Sequence, residues 1–150
     1  MTTFSVVPID RSTDFKIWAD LWDEYNSSVN DKISHEQHKN TFGRLIDPNG
    51  DLLGVLLVTG GGKPVGFAHF LYHGVAWSSA LSCYMDQLYV SPTHRSQGGG
   101  RMLIEAIRKE AKHKGCSRLY WCTTEDVEPL VKEFYSKIAV FDRLVYKIVL

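Results

Sequence analysis

The run Leu88-Tyr89-Val90-Ser91-Pro92-Thr93-His94-Arg95-Ser96-Gln97-Gly98-Gly99-Gly100-Arg101-Met102-Leu103-Ile104 constrains this chain more than any other feature. Its apolar start reads as a buried strand, Pro92 as a break, the three glycines as a loop, and Met102 onward as an amphipathic helix. A strand that feeds through glycines into a helix start aims bare N–H groups and the positive end of the helix dipole at one point. That arrangement suits an anion. Glycines let the anion approach the backbone without meeting a Cβ. Two common phosphate patterns fail here. A Walker loop ends in Gly-Lys-Ser/Thr, whereas Gly100 is followed by Arg101-Met102. A dinucleotide fingerprint needs a third glycine where Leu103 stands, and it opens a βαβ unit instead of arriving two-thirds of the way along the chain. The glycine loop and helix start make a pyrophosphate the expected occupant, beside the plainer reading of a glycine-rich connection into an ordinary helix; Arg95, Gly98 and Gly100 stand there in the pattern Arg-x-x-Gly-x-Gly.

Around this junction the chain alternates strands and helices without a linker, repeat or low-complexity segment. Phe4–Pro8 reads as a first strand. Phe15, Trp18, Ala19, Trp22 and Tyr25 recur at helical spacing, with Asp14 or Ser12 as the cap. A second helix is expected over Ser34 to Leu45, before the turn signal Asp47-Pro48-Asn49-Gly50. Leu52 to Thr59 and Val65 to Tyr72 flank a glycine turn and form a hairpin. Leu81 to Val90 is the next strand, and the helix after the loop ends at Gly115 with cations in its last turns. Arg118 to Cys122 reads as a strand. Asp126 is placed to cap a helix with Pro129 in its first turn, carrying Leu130, Val131, Phe134, Tyr135 and Ile138. Phe141 to Leu150 is expected to close the chain as a last strand. The order β-α-α-β-β-β-α-β-α-β predicts an α/β (α+β) domain over residues 1–150, a mixed sheet with helices on both faces.

Composition narrows the class. At 150 residues, 44% apolar and 23% charged, the chain has the size and make-up of one globular domain. A formal net charge of zero gives no general attraction to nucleic acid or membrane. No stretch approaches the roughly 18 apolar residues of a membrane span, and the N-terminus lacks a signal-peptide pattern. A cytoplasmic location is expected, a nuclear one being compatible. Cys83, Cys116 and Cys122 are odd in number and lack ligand spacing, so buried free thiols are expected and no metal site.

Four segments together resemble the GNAT N-acetyltransferase superfamily, in the branch of the diamine and fungal histone/polyamine-type acetyltransferases. They are Tyr84-Met85-Asp86-Gln87-Leu88-Tyr89-Val90 with the loop that follows, Leu119-Tyr120-Trp121-Cys122-Thr123, Phe134-Tyr135-Ser136-Lys137-Ile138-Ala139, and Leu144-Val145-Tyr146. The resemblance implies a sheet of about six to seven strands splayed between the fourth and fifth, about four helices, and acetyl-CoA as co-substrate without a metal. It implies that N–H groups from Gln97 through Arg101 face the pyrophosphate, with Arg95 and Ser96 in the same loop. Arg101 pairs either with the 3′-phosphate or with a neighbouring carboxylate. Main-chain groups of Leu88, Tyr89 and Val90 would pair with the pantetheine arm as an added strand does and polarise the thioester oxygen.

The same resemblance carries the catalytic expectations. Tyr135 matches the tyrosine that protonates the departing sulfur, a phenol at a helix start; the alternative is a core tyrosine beside Phe134. Asp86 stands where diamine acetyltransferases carry a glutamate, and Gln87 replaces the acidic residue that follows. Asp86 accepts the amine proton, directly or through water, or is an ordinary strand carboxylate. His69 and His73 are candidate relays or plain hydrogen-bonded sheet residues. Trp22, Tyr25, Asn26 and Tyr84, with Trp77 and Trp121, form an aromatic acceptor wall or belong to the core. Asp20, Asp23 and Glu24 attract a polyamine or form a solvated helix face. Glu128 stands where many relatives have Asn in contact with the CoA arm. The implied reaction is direct acetyl transfer in a ternary complex to a primary amine of a small molecule, namely a polyamine, amino acid or related amine. The rivals are a protein-lysine or histone acetyltransferase and a non-catalytic acyl-CoA-binding module. A homodimer through the apolar C-terminal segment is compatible with the pattern.

Overall fold

A computed structural model describes residues 2–150, in the order β1 (Phe4–Pro8), α1 (Phe15–Ser28), α2 (His35–Ile46), β2 (Leu53–Thr59), β3 (Pro64–Val75), β4 (Ser78–Val90), a 3-10 turn (Pro92–His94), α3 (Gly99–His113), β5 (Arg118–Trp121) and α4 (Pro129–Ile138). The chain divides into a first unit that ends at Tyr120 and a second, Trp121–Leu150.

In the first unit the sheet order is β1-β2-β3-β4-β5, antiparallel from β1 through β4 and parallel between β4 and β5. Alternation puts successive side chains on opposite faces. Leu56 therefore joins the cluster of Trp18, Leu21, Trp22, Leu45 and Phe67 beneath α1 and α2, while Leu57 meets Gly99 at the start of α3 on the other face. Local signals hold the helices in place. The Asp14 carboxylate accepts from the Ile17 N–H at 3.1 Å and Ser34 Oγ from the Gln37 N–H at 3.1 Å, so both helices are capped by their side chains. Gly115, at φ 81°, ends α3 in the left-handed conformation that favours glycine.

The β3–β4 pairing contains the irregularity that matters most. His69 stands opposite Gln87, and Phe70 opposite Met85, so Asp86 has no cross-strand partner. It is the extra residue of a β-bulge, a feature that re-aims side chains and breaks the strict alternation of a strand.

Four expectations need correction. The sheet has five strands, not six or seven. Residues 141–150, expected as a last strand, form no ladder among the described residues and are exposed. Apolar alternation is only half of a strand; the other half is a paired neighbour, which this segment lacks here. The cap residue of α4 is Glu128, not Asp126; Pro129 does take the first helical position, and the Glu128 carbonyl accepts from the Val131 N–H at 2.9 Å. Of the three cysteines, all free, only Cys83 is buried. Burial pushes its thiol up to about 12.

Candidate active site

The glycine loop is built as an anion cradle. Ser96 (φ 59°) and Gly98 (φ 86°) are both left-handed, with Gln97 between them at negative φ. Such alternation turns successive N–H groups toward a common hollow. The N–H groups of Ser96, Gln97, Gly98, Gly99, Gly100 and Arg101 meet no backbone carbonyl among the described residues, the first helical bond here being Met102 N–H to Gly98 O at 3.1 Å. A Cβ at Gly98 would meet nothing within 4 Å, so the space above the loop is open. Gly99 is buried, and a Cβ there would lie 2.4 Å from Leu57 Cδ2. Its lack of a side chain is what seats α3 on β2.

Charge points the same way. The first turn of α3 holds no acid, and its exposed cation, Arg101, sits at the positive end of the helix dipole. That placement is unfavourable unless an anion joins it.

The loop is tied to β4 and α1 by side chains. Arg95 Nε donates to the Val90 carbonyl at 2.8 Å, with its guanidinium 5.8 Å from the Tyr89 ring centre. The Tyr89 hydroxyl and Ser91 Oγ both donate to Glu24 Oε2 on α1, at 3.0 and 2.9 Å. Burial, then the Glu24 carboxylate, raise the Tyr89 phenol above its usual value. Leu88, Tyr89 and Val90 thus run directly into the cradle. On β5 the Tyr120 ring lies 5.0 Å from that of Tyr84, midway along β4, and β4 runs on to Val90.

Asp86 lies on the same strand, exposed at the bulge. Its Oδ2 accepts from Gln87 Nε2 at 2.7 Å. Its charge is felt by Tyr25 on α1, whose phenol is raised by burial first and by Asp86 second, and by Arg44 on α2, raised chiefly by its hydrogen bond to Asp51.

The aromatic wall divides between core and surface. Trp22 is buried, stacked between Trp18 at 5.9 Å and Tyr25 at 5.4 Å. Asn26 is buried too, and its Nδ2 returns to the Trp22 carbonyl at 2.7 Å within the helix. Tyr25, Tyr84 and Trp121 keep partial exposure, and Trp77 is exposed. The α1 acids are engaged: Asp20 with Lys16 at 2.7 Å, Asp23 with His38 at 2.7 Å, and Glu24 as above. His73 is hydrogen-bonded to the Tyr120 hydroxyl at 2.7 Å.

In the second unit, Tyr135 lies in the later part of α4, not at a helix start, with its ring 5.3 Å from Trp121 and 5.5 Å from Phe134. Glu128 holds the helix entry through its carbonyl, without a side-chain cap bond. No group of three or more metal-ligating side chains occurs among the described residues.

Residues 15–139 match the model of the acetyltransferase (GNAT) family. This chain belongs to that family. It is similar to the D-amino-acid N-acetyltransferase HPA3 of Saccharomyces cerevisiae, 35% identical over 144 residues, which cover 95% of this chain and 89% of the yeast protein. The GNAT fold is shared with a probable acetyltransferase (TM-score 0.82, 16% identity, 97% and 96% of the two chains covered). It is shared also with the aminoglycoside N-acetyltransferase AAC(6′)-Iy solved with a CoA bisubstrate analogue (TM-score 0.81, 14% identity, 98% of each chain covered). This GNAT chain is an acetyl-CoA-dependent N-acetyltransferase.

Sequence reasoning found the cradle but missed two features that complete the site. One is the bulge at Asp86, for which Met85-Asp86-Gln87 carries no glycine or proline marker. The other is Glu24, which reads on a helical wheel as solvated face and in fact anchors the loop.

Proposed function

We propose that this enzyme acetylates the primary amine of a small amino-acid-like molecule by direct transfer within a ternary complex. The observation that carries the reading is the run of six loop N–H groups, Ser96 to Arg101, that meet no backbone carbonyl among the described residues at the mouth of α3, with the exposed Arg101 beside them. That set fits the diphosphate of acetyl-CoA, which supplies the activated acetyl group as a thioester. Arg101 neutralises phosphate charge, and the end of β4 from Leu88 to Val90 offers main-chain groups to the pantetheine arm.

Asp86 accepts the proton that the ammonium must lose before its nitrogen can attack. An amine with a pKa near the roughly 10.4 of lysine is almost wholly protonated at pH 7, so this step needs a base. As the C–S bond breaks, the thiolate takes a proton, which the family resemblance assigns to the Tyr135 hydroxyl. An amino acid suits the site better than a polyamine. The three α1 carboxylates, which a polyamine would need, already have partners. The yeast relative's D-amino-acid activity supports the same class.

The test is thiol release from acetyl-CoA across D- and L-amino acids, polyamines and histone peptides. Amino acids should lead the panel. Asp86→Asn should lower kcat by about 100-fold or more, the scale of general-base catalysis, with KM for acetyl-CoA unchanged. Full activity in Asp86→Asn removes Asp86 from the mechanism. Uptake of CoA without turnover of any amine makes the chain a binding module.

A further inference from the structure

Neighbouring residues of a regular strand point to opposite faces, so adjacent side chains do not bond to each other. Asp86 and Gln87 do, at 2.7 Å, because the bulge places both on one side. The bond is the outer link of a longer series. Gln87 Oε1 lies 2.9 Å from His69 Nδ1, and His69 Nε2 lies 3.0 Å from the indole Nε1 of Trp18. His69 and Trp18 are fully buried.

Every role in this series is determined. An indole N–H only donates, so His69 Nε2 accepts and the ring proton sits on Nδ1. That proton goes to the Gln87 carbonyl, which turns the amide nitrogen outward to the Asp86 carboxylate. With Oδ2 so engaged, Oδ1 is left for an incoming proton. Full burial holds His69 down at about 4, so the ring stays neutral at ordinary pH and acts as a fixed donor. It does not shuttle protons.

We propose that Gln87 and His69 are positioning residues that fix the rotamer of Asp86, with Trp18 setting the histidine tautomer. The proposal rests on Asp86 being the proton acceptor. The Asp86 charge also reaches the Tyr25 phenol and the Arg44 guanidinium, through space and without a bond. Gln87 is the one side chain shown bonded to it among the described residues.

Two measurements test the relay. Nitrogen-15 NMR of the imidazoles in the wild-type protein should show His69 as the Nδ1–H tautomer from pH 5.5 to 8; the Nε2–H tautomer overturns the proposal. The second is a double-mutant cycle, run with the amine that gives the highest rate in the panel above. Gln87→Met removes both links. Gln87→Glu keeps an acceptor for His69, and so protects the fold, but replaces the donor to Asp86 with a carboxylate. Each should lower kcat about tenfold or more, with KM for acetyl-CoA unchanged, and Gln87→Met should cost nothing further in an Asp86→Asn background. Wild-type kcat in Gln87→Glu, or a full loss from Gln87→Met on top of Asp86→Asn, reduces Gln87 to a structural residue. If Asp86→Asn alone is fully active, or no amine turns over, the base reading falls first and the relay with it.

Discussion

Lowering the pH should destabilise this protein through His69 in a defined window. The ring is fully buried and bonded on one side to a donor that cannot reverse, the Trp18 indole. Protonating Nε2 would set N–H against N–H in the core. The folded-state pKa is accordingly depressed to about 4 from 6.5, with burial as the main cause. A depressed histidine pKa means that the unfolded chain takes up the proton first. The contribution of His69 is therefore complete above about pH 6.5 and is lost as pH falls toward 4. Between those limits the slope is about 1.4 kcal/mol per pH unit, or roughly 3 kcal/mol in all, and about 2 kcal/mol is already gone at pH 5. A domain with 5–15 kcal/mol of stability would feel that loss strongly. Carboxylates titrate nearby, so the quantity to follow is the difference in urea-unfolding free energy between the wild type and His69→Gln, from pH 8 to 4. That difference should be flat above pH 7 and narrow steadily below it. A difference that stays constant down to pH 4 would refute the neutral, indole-bonded histidine.

Three further substitutions probe the cradle and the core. Gly99→Ala drives a methyl into Leu57, which is fully buried and has no room to retreat; it should cost about 1–3 kcal/mol in urea unfolding and raise KM for acetyl-CoA, and Leu57→Val should recover part of both. Arg101→Glu should stabilise the free protein by about 0.3–1 kcal/mol through the helix dipole while weakening CoA uptake, a reversal of signs that thermal shift with and without CoA reads directly. Trp18→Phe strips His69 Nε2 of its donor, whereas the Trp22 indole N–H has no partner among the described residues to lose. Chemical denaturation should therefore show Trp18→Phe to be the more damaging by about 1–3 kcal/mol.

What could be read from the chain alone tracks what is encoded locally. Asp14 caps the helix it precedes, Gly115 stops α3, and Phe4–Pro8 is a strand as expected, because each signal acts within one turn of itself. The loop was legible for the same reason, its meaning residing in consecutive glycines and a helix start. What escaped depends on residues far apart in the chain. The bulge exists only in the register of β4 against β3. Glu24 reads as surface until Tyr89 and Ser91, more than sixty positions on, are brought to it. His69 was open between relay and plain sheet residue, and its neutrality follows from a tryptophan 51 residues earlier. The C-terminal apolar segment shows the converse: a correct pattern with no paired neighbour does not make a strand.

One helix underlies both halves of the first unit's chemistry. Glu24 of α1 grips the end of β4 and the first residue of the loop, where the donor's phosphates would be held. Trp18, six residues earlier on the same helix, fixes the histidine behind Asp86, where the acceptor would lose its proton. Six residues span only about 9 Å along a helix, and the segment between them is locked by the stacked rings of Trp18, Trp22 and Tyr25. Cradle and carboxylate are therefore referenced to one rigid element, not to each other through a loop. Transfer between two bound molecules gains most when their reacting atoms are held in register before they meet. The dense aromatic face of α1, which composition alone assigns to core packing, supplies that register.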